Sequence, residues 1–257
     1  MNAFEFPPIN AILRWKDIFT SFNKIAIIAV AAALIGIIVF LLAARKDPMK
    51  APKGVRNLAE TTVEFIEDGI VMQTMGKDGL GWTPFLLSLF VFIYLCNVPG
   101  IIPLFQMPAT ARIAIPLFLS LLVWIVFIGT GLKHQKGGYF GHLLWPPGVP
   151  VALKPLVGII EFFSTIIVRP LSLTVRLFAN MLAGHILLVT FALLSEAMFQ
   201  AETNRPFLNI GGILPFFMLV FLTGFEVLVG FLQAYIFAIL TAVYIGTSIE
   251  GHGEEAH

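Results

Sequence analysis

The chain has 257 residues, of which 58% are hydrophobic and only 12% charged, with a mean hydropathy of +0.91. Soluble domains run near 45–50% apolar and ~25% charged, so lipid must be the solvent for much of this chain. A net charge of +1 argues against nucleic acid as a partner, and the single cysteine, Cys96, excludes an internal disulfide framework.

A membrane span needs about 20 apolar residues to cross ~30 Å of hydrocarbon. Residues 1–24 are expected to form an outer N-terminal segment, and 25–257 a single membrane domain. Ile25–Ala44 is the first uncharged stretch. It is longer than a signal-peptide core, and its basic cluster follows rather than precedes it, so it reads as a retained span. Residues 54–75 are different. Val55, Leu58, Phe65, Ile66 and Ile70 recur at helical spacing while Glu60, Glu64 and Glu67 share another face. The pattern predicts an amphipathic helix, lying on the cytoplasmic membrane surface or packed on the protein's own loops. A second span is expected over 82–105, in a stretch broken by Pro99, Pro103 and Pro108, and a third over 113–132. Cys96, flanked by Leu95 and Val98, should be a buried, inert thiol. His134 and His142 have no metal-ligand spacing and read as solvent-facing loop residues.

Two longer apolar regions follow, about 155–199 and 206–249. A helix of ~40 residues is on the order of 60 Å long, too long to cross upright. Neither region contains a polar loop that could reverse the chain, so each is expected to be one strongly tilted helix, the two forming a hairpin. The fold class is therefore all-α integral membrane, with about five membrane helices. Arg45, Lys46, Lys50, Lys53 and Arg56 crowd the segment after the first span, and Lys133 and Lys136 follow the third. Basic residues mark the cytoplasmic side. The N-terminus is then outside, Asn204-Arg205-Pro206 is the outer turn of the hairpin, and the tail 250–257 is inside.

Charges within the hairpin are few: Glu161, Arg169, Arg176, Glu196, Glu202, Arg205 and Glu226. Arg176 and Glu226 are the most costly, since a mid-bilayer arginine or acid costs roughly 2.5–3.5 kcal/mol on insertion scales. A guanidinium keeps its proton throughout the physiological range, so Arg176 is a fixed positive field and not a proton carrier. Ser172, Arg176 and Asn180 follow i, i+4, i+8 and form one polar stripe. Within the chain the obvious counter-ion is Glu226, which leaves open a buried pair that only fixes packing. His185 lies nine residues after Arg176, roughly 13 Å along the helix. Across an antiparallel hairpin it can meet Glu226, giving two titratable groups on the outer side, and Gln233 shares the face of Glu226. Towards the inside lie Ser172, Thr165 and Glu161, which either line a watery path or bond back to helix carbonyls. Two polar paths separated by a permanent cation need a moving carrier to pass a proton between them, and no residue of this chain has that character. A proton-coupled secondary transporter is the other reading such charges admit; its expected internal repeat is missing from the sequence.

The stretch from Arg169 to His185, Arg-Pro-Leu-Ser-Leu-Thr-Val-Arg-Leu-Phe-Ala-Asn-Met-Leu-Ala-Gly-His, closely resembles the signature of subunit a of F-type ATP synthases. Glu226–Phe237 and Leu240–Tyr244 resemble that family's last helix. The resemblance implies a bacterial plasma-membrane stator subunit that faces a ring of c subunits and is held by peripheral-stalk b subunits. Such a subunit uses no cofactor or metal and has no catalytic residues of its own. Arg176 matches the family's essential arginine, which meets the ionised carboxylate of each passing c subunit. His185 and Glu226 match the outer half-channel pair, whose residue types some relatives exchange. Asn180 and Gln233 match polar neighbours of that site, and Glu161, Ser172 and Thr165 fall on the inner half-channel side. The family's glycine before the motif asparagine is Ala179 here.

Overall fold

A computed structural model describes residues 24–44, 53–102, 108–135, 141, 153–200 and 212–250. Among these, every regular element is helical. Lipid cannot hydrogen-bond a backbone, so a chain this apolar satisfies its peptide groups within helices. Helix α1 is Lys24–Ala44. Helix α2, Val55–Ile66, continues through a π-helical turn at Glu67–Val71 to Met72–Thr74. A 3₁₀ segment, Gly76–Trp82, leads into α3, Thr83–Ile101, with Pro84 in its first turn, where a missing N–H costs nothing. Helix α4 is Ala114–Gln135. Helix α5, Lys154–Phe163, passes through a second π-helical turn, Ser164–Val168, into α6, Arg169–Gln200. Helix α7 is Ile213–Glu250. Among the described residues, five helical stretches are long and apolar enough to cross a membrane: α1, 76–101, α4, 154–199 and α7.

The first long apolar region is thus one unbroken helical path, and α7 runs 38 residues without a reversal. The second span differs from expectation. Its helix stops at Ile101 instead of reaching 105, and Pro99 sits inside its last turn without breaking it. Gly100 lets the returning chain close against the helix end: a Cβ there would lie 2.8–3.0 Å from the Pro108 ring, a clash that only glycine avoids.

The central core joins Leu86, Phe90 and Ile93 of α3, Val123 and Phe127 of α4, Leu173 and Leu177 of α6, and Ala234, Phe237 and Ala242 of α7. The amphipathic stretch enters this same core. Ile66, Ile70 and Val71 are fully buried, and Phe65 packs against Phe90, Phe231 and Tyr235. The C-terminal part of its apolar face therefore meets the membrane helices themselves, while Val55 and Leu58 stay exposed. Helix α1 stands at the edge, covering Cys96 and Ala109 with Ile25, Ile28 and Ala32 while most of its other residues stay exposed to the surrounding medium. Cys96 is fully buried. Arg45, Lys46, Lys50, Lys136, His142, the 204–206 turn and the 251–257 tail lie outside the described residues. His134, at the end of α4, is exposed.

Candidate functional site

Helices α6 and α7 run antiparallel, and one polar bond fixes their register. Asn180 donates from Nδ2 to Oε1 of Gln233 at 2.9 Å. Arg176 lies four residues before Asn180, and Phe237, apolar and buried, four residues after Gln233, so the two stand at the same level of the hairpin. The half-buried guanidinium reaches Ser172 Oγ at 3.5 Å, along its own helix. No ion pair joins Arg176 to a carboxylate among the described residues. The packing pair with Glu226 that the sequence left open is absent: Glu226 faces α6 about two turns further out.

Glu226 rests on Gly184. A Cβ at Gly184 would meet Glu226 Oε1 at 3.0 Å and Cδ at 3.4 Å, so the missing side chain makes the room the carboxyl occupies. His185, the next residue, is buried as Glu226 is. The two share this part of the hairpin without a hydrogen bond between them. Both carboxyl oxygens of Glu226 and Nε2 of Gln233 are buried with no hydrogen-bond partner among the described residues. These are strong acceptor and donor groups held at membrane depth with their capacity open.

The wall between Glu226 and Gln233 comes from elsewhere. Asn97 of α3 donates from Nδ2 to the carbonyl of Gly230 at 3.2 Å, and Thr110 donates its hydroxyl to Asn97 Oδ1. Asn97 and Thr110 are both buried. Gly230 stands four residues after Glu226 and three before Gln233, so Asn97 meets α7 on the turn between them. Sequence reasoning passed over both residues. Asn97 did leave a signal, as the one amide in an otherwise apolar span; Thr110 left none.

Towards the inner end the predicted residues are not brought together. Glu161 and Ser172 are half-buried. Thr165 is fully buried in the π-helical turn, its carbonyl accepting Trp124 Nε1–H at 3.3 Å and its Oγ1 unpartnered among the described residues. No hydrogen bond links the three. Ser120 of α4 shares a hydroxyl bond with Thr174, which also donates to the Pro170 carbonyl at 2.8 Å, tying α4 to α6 beside Arg176. Among the described residues no His, Cys, Asp or Glu cluster could hold a metal.

What the arrangement offers chemically is a fixed cation without a counter-charge among the described residues, an acid and an imidazole farther out, and amides in the interval. Known proteins resemble this chain along most of its length. A family profile described as ATP synthase A chain matches residues 25–246. The ATP synthase subunit a of Frankia alni is 41% identical over 90% of this chain and 78% of its own length. That of Azorhizobium caulinodans is 38% identical over 98% of both chains, and that of Maricaulis maris 38% over 90% of both.

Proposed function

The chain belongs to the ATP synthase A chain family, and from that premise we propose that it is the proton-translocating stator subunit of an F-type ATP synthase, providing two offset half-channels to a ring of c subunits. The observation that carries this reading is the unpaired Arg176. An isolated charge at membrane depth is costly unless it meets an opposite charge or water. No carboxylate among the described residues pairs with it, so its counter-charge belongs on another molecule.

The mechanism follows from the chemistry. A c-subunit carboxyl is neutral while it faces lipid, because an ionised one would be stranded there. Opposite Arg176 it ionises, releasing its proton inwards past Ser172, Thr165 and Glu161. A proton from outside passes by Glu226 and His185, along the interval lined by Asn97, Gln233 and Asn180, and neutralises the carboxylate, which then leaves for lipid. Arg176 cannot give up its proton, so no proton passes straight through. Each proton crossing 100 mV contributes ~2.3 kcal/mol to rotation. The subunit forms no ATP itself and needs no cofactor. The b subunits of a peripheral stalk hold it against the turning ring. The hairpin, far longer than the hydrocarbon is thick, lies strongly inclined in a bacterial plasma membrane.

Arg176→Ala tests the reading in the assembled complex. Proton-driven ATP synthesis in inverted membrane vesicles should fall to background while the subunit remains in the complex; synthesis at more than a tenth of the native rate would refute the role.

A further inference from the structure

Arg169 stands seven residues before Arg176, on the same face of α6, and the proton path through Arg176 gives it no role. Its guanidinium carbon lies 5.1 Å from the ring centroid of Tyr244 on α7 and 5.9 Å from that of Phe127 on α4. The two rings pack on each other at 5.9 Å. A cation within about 6 Å of an aromatic face is attracted by the ring's quadrupole, and here one cation engages two rings from two helices. No ion pair competes for it among the described residues.

Its place in the chain makes this contact consequential. Arg169 is the residue where the π-helical turn Ser164–Val168 returns to α-helix, its N–H donating to the Ser164 carbonyl. A wide turn is a point where the phase of a helix can slip. Eleven residues separate Arg169 from Asn180 on α6, and eleven separate Gln233 from Tyr244 on α7. The Arg169–Tyr244 and Asn180–Gln233 contacts therefore obey one antiparallel register, three turns apart. Arg176 falls between them.

We propose that Arg169 is a positioning residue: clamped between Phe127 and Tyr244, it locks the hairpin register on the inner side of Arg176 and so fixes where that charge meets its partner. The proposal rests on the proposed role of Arg176 for its consequence, though not for the clamp itself.

The experiment uses the whole complex in inverted vesicles and reads ATP-driven proton pumping by a pH-sensitive dye. R169A should lower pumping at least fivefold with the amount of subunit in the complex unchanged, and R169K, which keeps the cation, should restore it to within twofold of native. Y244L should match R169A, and Y244F, which keeps the ring, should match native. Should R169A fail to accumulate, the Y244L and Y244F pair carries the same comparison. A second readout is independent of transport. A Cβ at Gly184 would lie 3.6 Å from Glu226 Cγ, within disulfide reach, so G184C with E226C in a C96A background should cross-link on oxidation. Adding R169A should cut that yield at least threefold. Loss of cross-linking with R169A supports the clamp even if Arg176 proves dispensable, in which case the reading of Arg176 alone falls. Pumping within twofold of native together with unchanged cross-linking, in R169A or in Y244L, overturns it.

Discussion

Glu226 is held by what its neighbours lack. Gly184 offers no side chain, so the carboxyl lies against the backbone of α6 beside His185, with both oxygens uncommitted among the described residues. Glu226→Gln keeps the shape and removes the exchangeable acid. Proton uptake from the outer side should slow by tenfold or more, read as the rate of potential-driven proton flux through vesicles stripped of the soluble head; unchanged flux would take Glu226 out of the path. Gly184→Val attacks the same site sterically. A branched side chain would collide with the carboxyl at about 3 Å, and transport should fall similarly although no titratable group is lost; a native rate would mean that the carboxyl is not confined there. Much of this was legible in the sequence. The i, i+4, i+8 spacing put Ser172, Arg176 and Asn180 on one stripe, and an antiparallel hairpin allowed the 185 and 226 regions to meet. Asn97 was half legible: a lone amide in an apolar span stands out, but its partner Gly230 is 133 residues away and nothing local marks which distant carbonyl it will reach.

At the scale of elements, the amphipathic stretch after α1 shows what periodicity conveys and what it omits. Spacing of Phe65, Ile66 and Ile70 announced a buried face. It carried no statement of what covers that face, and the covering surface turned out to be α3 and α7, through Phe90, Phe231 and Tyr235. The turn at Glu67–Val71 is π-helical, which no residue pattern foretold, and its Gly69 carbonyl accepts the Tyr235 hydroxyl at 3.3 Å. A surface helix would tolerate a charge at its rim, whereas a core helix would not. Ile70 is fully buried, so Ile70→Asp should destabilise the fold by several kcal/mol, on the order of 4. Thermal unfolding in detergent should drop markedly for Ile70→Asp and little for Glu64→Ala on the exposed side. Equal, small effects would mean that Ile70 is not part of the core.

Over the whole molecule, the strongest signal in the sequence was length. Uncharged stretches of about 20 residues announced three ordinary spans, and two stretches of twice that length announced a hairpin whose helices the structure leaves uninterrupted. The proposed topology has five crossings, an odd number, and so expects the two ends of the chain on opposite sides of the membrane. Basic residues supply the proposed direction: Lys53 and Arg56 stand just after α1, and Lys133 at the exposed end of α4. Positive flanks stay in the cytoplasm, so the orientation we propose has the N-terminus outside and the tail inside. The half-channel assignment depends on this direction, because reversing it would make Glu226 and His185 the exit and Glu161 the point of uptake. Cysteines placed one at a time in a C96A background decide it. Asn2→Cys should react with a membrane-impermeant maleimide added to intact cells, and Gly251→Cys only in inverted vesicles. The opposite labelling pattern would turn the molecule over and exchange the two half-channels, while leaving Arg176 between them.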